Sequence, residues 1–147
     1  MNTSTTVQVR VYNVFNLQSA DIRLSFNPRI VMVEDTDSVR DGIQISPGDC
    51  FPYGSLVAPT VQADNTRGTI TWAGTRVGSS FTGSCVLATI RFRGLAEGTS
   101  SLLFSAQPVL LAANQTPLRV QSSGGSLTVP PPHMVYLPLI QRQWPNQ

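Results

Sequence analysis

Short runs in which apolar and polar residues alternate one by one are the feature that most constrains the fold of this chain. Residues 6–12 place Val7, Val9 and Val11 on one face, and residues 20–26 repeat the same two-residue period. Such alternation is typical of a half-buried β-strand, and no window of the sequence sustains the 3.6-residue period of a helix. The sequence therefore predicts an all-β domain.

Residues 85–93 form the clearest predicted strand. Their alternation divides the side chains between two faces, with Val86, Ala88, Ile90 and Phe92 inward and Leu87, Thr89, Arg91 and Arg93 outward. Residues 13–19 are interpreted as a turn. The chain contains 11 Gly and 11 Pro, and turn residues separate the short predicted strands. Strands spaced in this way indicate a jelly-roll β-sandwich of about nine strands.

The stretches VYNVFNLQSADIRLSFNP (residues 11–28) and VLATIRF (residues 86–92) are the most specific motifs. With the surrounding strands, which cover most of residues 6–129, they resemble the cohesin-like domain family. The resemblance implies a nine-stranded jelly roll, an architecture close to that of carbohydrate-binding modules. It also implies an extracellular, non-catalytic module devoted to protein–protein binding. Some members of this family bind dockerin modules in cellulose-degrading complexes, and others belong to surface proteins without a known dockerin partner.

One departure from the family pattern lies at the N-terminus. Family members usually begin with a further strand and a Gly-containing turn before the strand that matches residues 6–12 here. Only about five residues precede that strand in this sequence, so we expect the first strand to be missing. The loss of a strand would expose unpaired backbone groups and open a hydrophobic groove. We predict that Val7, Val9 and Val11 line this acceptor groove.

Residues 130–147 (PPPHMVYLPLIQRQWPNQ) follow a last predicted strand at 126–129. The three prolines remove backbone donors and favour an extended path over a hairpin. We therefore divide the chain into a sandwich over residues 1–129 and a hinge with a surplus strand over residues 130–147. The apolar residues of that predicted donor strand are Met134, Val135, Tyr136, Leu137, Leu139 and Ile140.

The surplus strand leads to the main functional prediction, which is a structural subunit of an extracellular filament or surface assembly used for adhesion. Donation of a strand to the neighbouring subunit builds pili, and a head-to-tail contact that does not close produces filaments. Arg142 and Trp144 are predicted interface anchors because their residue types are enriched at interface hot spots. Pro138 argues against a central strand, since proline is confined to edge strands and bulges.

Other interpretations of this segment and of the whole chain remain open. The run could fold back as the last strand of its own domain, or it could be an anchoring signal read by export machinery. The runner-up function is a monomeric module that binds a dockerin-like helical protein or a glycan through a face of the sandwich. A platform of Trp72 with Tyr12, Phe15 and Tyr53 would serve the glycan, although a strand Trp is more often part of the core.

The two cysteines, Cys50 and Cys85, bear on whether the protein is exported from the cell. In an exported protein they would form a disulfide, and the alternative is a pair of buried free thiols. We predict a secreted or cell-surface protein, although no signal peptide is visible and no stretch approaches the roughly 20 apolar residues of a membrane span. The net charge of +2 does not favour nucleic acid as a partner.

Catalytic and metal-binding chemistry is weakly represented. The single histidine, His133, lies in the proline hinge, and there is no G-x-S-x-G motif or phosphate-binding glycine loop. We therefore predict no enzymatic activity and no cofactor. Carboxylates at Glu34, Asp35, Asp37 and Asp41 are interpreted as part of a solvated polar loop, and we predict no metal site; the alternative is that they supply oxygen ligands to Ca²⁺.

Overall fold

A computed structural model of the chain describes residues 3–36, 39, 42–51 and 56–131. These residues form nine β-strands and no helix, so none of them belongs to a helix able to cross a membrane. The strands are β1 (Ser4–Ser25), β2 (Val31–Val33), β3 (Ser46–Pro47), β4 (Leu56–Asp64), β5 (Thr69–Arg76), β6 (Phe81–Gly94), β7 (Gly98–Phe104), β8 (Val109–Ala112) and β9 (Gly125–Val129). The predicted all-β jelly-roll sandwich is confirmed.

Strand β1 is shared by the two layers of the sandwich. Its first half pairs antiparallel with β6, which also pairs with β2 and β3. Its second half lies between β5 on one edge and β8 on the other, and β4 extends this layer beyond β5. Strand β7 pairs with β9 and reaches the end of β1 with residues 103–104. The two layers enclose one hydrophobic core between them.

The middle of β1 is a bent strand rather than the turn predicted for residues 13–19. Its register against β6 shifts three times, and Asn13 (φ 55°) and Asn16 (φ 57°) adopt the left-handed conformation. Asparagine tolerates this conformation, and bulges bend a strand without ending it. The backbone N–H groups of Asn13 and Asn16 donate hydrogen bonds to the side-chain hydroxyls of Ser84 and Thr82, respectively, both at 3.1 Å. Side chains of β6 therefore satisfy the bulged backbone.

A second bulge explains why the predicted faces of β6 are partly wrong. Ala88, Ile90 and Phe92 are buried as predicted, but Leu87 is also buried, with 1% exposure, and Val86 is only half-buried. Val9 pairs with Ala88 and the next residue of β1 pairs with Val86, so Leu87 is the extra residue. The alternation of the sequence cannot reveal this residue because a bulge shifts the two-residue period.

Buried aromatic residues fill the space between the layers. Trp72 stacks on Phe51 at 5.7 Å between ring centroids, and Phe26 meets Phe92 edge to face at 5.5 Å. Trp72 is 1% exposed and Phe51 is fully buried. Trp72 therefore belongs to the core, and the alternative interpretation as a sugar-stacking surface is wrong for this residue.

Candidate functional site

The two halves of β1 differ in how many strands pair with them. Among the described residues, β6 is the strand that pairs with positions 4–16 of β1, and it occupies one edge only. Positions 19–21 have β5 on one edge and β8 on the other. Strand β9 pairs with β7 alone in this part of the chain. The first half of β1 and the whole of β9 therefore each present one edge without a strand partner.

A groove lies between these two edges. Its volume is about 580 Å³, one wall is residues 7–15 of β1, and the opposite wall is residues 118–125. A second cavity, of about 220 Å³, lies where Thr3 and Thr5 approach residues 126–130. The groove touches β9 at Gly125, the second cavity touches residues 126–129 of the same strand, and Phe92 lines both. The two are named together here the β1–β9 groove.

The floor of the β1–β9 groove is made of core side chains. Val9 is 9% exposed, and Val7 and Val11 are half-buried against the same core. The three valines predicted as an acceptor surface do line this groove. Further apolar lining comes from both layers, at Ile22, Leu24, Leu87, Ile90, Phe92, Leu102, Phe104, Leu110 and Leu118. An apolar floor between two unpaired strand edges is the environment that an additional β-strand would occupy.

Strands β1 and β9 run in opposite directions. Ser4 pairs with Arg93 near the end of β6, and residues 95–97 lead directly into β7. Gly98, the first residue of β7, pairs with Val129 at the end of β9. The start of β1 and the end of β9 therefore lie at the same end of the sandwich. Any strand between them must be antiparallel to one neighbour and parallel to the other.

A polar cluster holds the start of β1 beside the groove. The Ser4 hydroxyl donates a hydrogen bond to the Glu34 carboxylate, which also pairs with Arg91 Nε at 3.0 Å and Arg93 Nη1 at 3.9 Å. The Ser4 hydrogen bond lowers the pKa of Glu34, partial desolvation opposes it, and the charges of Arg91 and Arg93 add to the lowering. Glu34 thus connects β1 to β6 across the loop after β2.

The four carboxylates considered as an alternative Ca²⁺ site are only partly described by the structure. Glu34 is engaged by Ser4 and two arginines, and Asp35 Oδ1 accepts a hydrogen bond from the Gln44 amide at 3.0 Å. Asp37 and Asp41 lie outside the described residues. Ca²⁺ binding at these four positions stays an alternative interpretation, and the solvated polar loop stays the prediction.

Cys50 and Cys85 form the predicted disulfide, with 5.3 Å between their Cα atoms. The bond joins the segment after β3 to β6 next to the Leu87 bulge. In the same place the amides of Gly48 and Cys50 donate to the carbonyls of Leu87 and Val86, both at 3.0 Å. Within the described ranges, the one cluster of potential metal ligands is Asp49 with these two cysteines, and the disulfide consumes both thiols.

Each of the remaining predicted residues lies either at an exposed position or outside the described residues. Tyr12 and Phe15 are 66% and 67% exposed at the rim of the groove. Tyr53 and His133 lie outside the described residues. So do the predicted donor strand and anchors, namely Met134, Val135, Tyr136, Leu137, Leu139, Ile140, Arg142 and Trp144.

Sequence reasoning identified only one wall of the groove. Residues 118–125, which form the other wall, carry no motif that would mark them as part of a site. Their position depends on the pairing of β9 with β7 and on the hydrogen bond from the Leu118 amide to the Leu110 carbonyl at 2.8 Å. These contacts are non-local, so no local sequence signal could have found this wall.

Comparison with known proteins identifies the family. The sequence model of the Cohesin domain family, described as "Cohesin domain", matches residues 2–129. No curated protein matches this chain.

Three solved structures share this fold at low sequence identity. A type II cohesin dyad from the adaptor ScaA scaffoldin of Acetivibrio cellulolyticus has a TM-score of 0.72 at 13% identity, over 87% of this chain and 44% of the dyad. The sixth cohesin of scaffoldin B from that organism, in complex with Cel5 dockerin, gives 0.70 at 13% identity, over 87% of this chain and 89% of the other. A non-cellulosomal cohesin from Archaeoglobus fulgidus gives 0.66 at 16%, over 85% and 79%.

Proposed function

This chain belongs to the cohesin domain family, and from that premise we propose that it is a non-catalytic protein-binding module that accepts a β-strand into the β1–β9 groove. The observation that carries the proposal is the edge of β1, above an apolar floor, with which no strand of the described residues pairs. Backbone hydrogen bonds along the edge would supply affinity, and the side chains that alternate towards the floor would supply specificity.

We propose further that the strand comes from residues 134–140 of another copy, so that subunits join head to tail into an extracellular filament. Seven residues in extended conformation span about 23 Å. Burial of each large apolar side chain contributes about 1.5–3 kcal/mol before the cost of ordering the strand. Because the donor segment and the groove belong to different ends of one chain, each subunit has a groove to fill and a strand to donate.

The disulfide supports an extracellular setting for this assembly. Disulfides persist in oxidising compartments and are rare in reduced ones. The Cys50–Cys85 bond also holds β6, the strand that positions the first half of β1. We therefore propose a secreted or cell-surface filament, with adhesion or community structure as its biological role.

The test compares the full chain with a version that ends at Val129, by light scattering and negative-stain electron microscopy. We expect filaments from the full chain and none from the shorter one, because the donor segment is absent. A synthetic peptide of residues 130–147, added in excess to the full chain, should cap free grooves and shorten the filaments. Circular dichroism of the shorter chain provides the control that it is folded.

A groove variant separates strand acceptance from other effects of the tail. Val7→Arg places a charge on the half-buried wall of the groove and should prevent assembly of the full chain. Val109→Arg is the matched control, because Val109 is 48% exposed on β8 and does not line the groove. Equal assembly by the two variants would rule out the groove as the site.

The second candidate function is a module that binds a dockerin-like protein through a face of the sandwich. It is favoured by one similar structure, a cohesin in complex with Cel5 dockerin. In that case the full chain and the chain ending at Val129 should both be monodisperse monomers. Binding of a dockerin module to both forms, measured by isothermal titration calorimetry, would support this function over self-assembly.

A further inference from the structure

We propose that the strand that fills the β1–β9 groove runs antiparallel to β1 and parallel to β9, and that it comes from a second copy of the chain, because this direction excludes the chain's own tail. The inference rests on the proposed strand-accepting function and adds the direction, the inward face and the origin of the strand. Because β1 and β9 run in opposite directions, a strand can be inserted between them in only two ways.

The lengths of the two free edges favour one of these ways. β1 offers positions 4–16, whereas β9 offers only Gly125–Val129. Parallel pairing is slightly less stable per residue than antiparallel pairing. The arrangement with the longer antiparallel ladder is therefore the one in which the inserted strand is antiparallel to β1.

This direction excludes the chain's own tail. A strand that is parallel to β9 and follows it in sequence needs a crossover of about a dozen residues or more. Only residues 130–133 separate Val129 from Met134, and three of these four are prolines. A tail that folded back directly after β9 would be antiparallel to β9 and hence parallel to β1. The direction of the strand thus reports whether it comes from the same molecule or from another.

The donor sequence has two alternating faces. Val135, Leu137 and Leu139 lie on one face of an extended strand, and Tyr136, Pro138 and Ile140 lie on the other. The tyrosine hydroxyl requires a polar partner, which the apolar floor does not offer. We therefore assign Val135, Leu137 and Leu139 to the floor.

Pro138 limits the hydrogen bonding of the donor strand. Every run of five residues within 134–140 includes position 138, so a donor that pairs with all five residues of β9 places Pro138 inside that ladder. Each residue of a strand directs its backbone N–H towards one neighbouring strand, and proline has no N–H to donate. Pro138 therefore removes one hydrogen bond on one edge of the donor strand and leaves the other edge unaffected.

Cross-linking of the full chain tests the direction. Thr6 is exposed on the outward face of β1, and the only two cysteines of the natural chain are joined in a disulfide, so introduced thiols are the only free ones. Thr6→Cys is combined with Ile140→Cys in one variant and with Met134→Cys in the other, and both are treated with a short thiol cross-linker. We expect the Ile140 variant to give a ladder of covalent oligomers and the Met134 variant to give at least tenfold less.

The outcomes separate this inference from the proposed function. If the Met134 variant, and not the Ile140 variant, gave covalent oligomers, strand acceptance would stand and the proposed direction would be wrong. A cross-linked monomer from the Met134 variant would have the same meaning. No cross-linking from either variant would overturn strand acceptance itself. Chains that carry only Thr6→Cys, mixed with chains that carry only Ile140→Cys, should form covalent dimers. Absence of those dimers would contradict a second copy as the source.

Discussion

The two halves of β1 belong to the same strand but have different surroundings. Around positions 19–21 the strand is paired on both edges, and its inward side chains, such as Ala20 and Ile22, are 4% and 2% exposed. Along positions 4–16 it is paired on one edge, and inward Val7 and Val11 are only half-buried. Inward-facing apolar side chains therefore guarantee neither edge pairing nor complete burial. Among the described residues, the first half of β1 has a strand neighbour on one edge only.

The largest expected loss of stability comes from a core residue, Trp72, on the strand that pairs with the second half of β1. Trp72→Ala should lower the free energy of unfolding by about 3–5 kcal/mol, because it leaves a cavity against Phe51 in the core. Val7→Ala, on the half-buried groove wall, should cost less than about 1 kcal/mol in the unassembled chain. Chemical denaturation of both variants measures the difference. Equal losses would mean that the groove wall is packed as tightly as the core.

Reduction of the Cys50–Cys85 disulfide should cause the next largest loss in the free energy of unfolding. The bond closes a sequence separation of 35 residues, for which chain entropy gives about 3–4 kcal/mol of stabilisation. The loss should appear as a lower midpoint in urea after reduction, relative to the oxidised protein. An unchanged midpoint would indicate that the segment after β3 contributes little to holding β6. The variant with both cysteines replaced by serine controls for incomplete reduction.

Hydrogen exchange compares the two halves of β1 directly. Alternate amides in residues 5–15 should face the open edge and exchange rapidly in the unassembled chain, whereas amides around residues 19–21 should be protected on both edges. Addition of the peptide of residues 130–147 should slow exchange in the first group and leave the second unchanged. Protection of those same alternate amides before any peptide is added would contradict an open edge.

The smallest expected effect concerns pH and the polar cluster at the start of β1. The pKa of Glu34 is lowered in the folded state, first by the Ser4 hydroxyl and then by the arginine charges against an opposing desolvation. Its contribution to stability is therefore present above the ordinary glutamate pKa and is lost as pH falls through the lowered value. Glu34→Gln should remove this part of the acid dependence of the denaturation midpoint. A wild-type acid profile in the variant would contradict the assignment.

The sequence predicted the strands better than it predicted their irregularities. Alternation located β1, β5 and β6, and buried Ile22 and Leu24 are on the face that it indicated. It missed the bulges at Leu87 and Asn13 because each inserts a residue into one strand of a pair, which is a property of the pair. It also missed β4, whose register shifts around Pro59, since proline in a run argues against a strand except at an edge or a bulge.

The sequence by itself determined the period of the strands, the family and the availability of two cysteines and three groove valines. Only the tertiary structure decided that Cys50 meets Cys85, that residues 118–125 face β1, and that β1 and β9 run in opposite directions. The reason is physical. Side-chain alternation is a local property of an extended chain, whereas an open strand position exists only after distant segments have paired and left one edge between them without a partner.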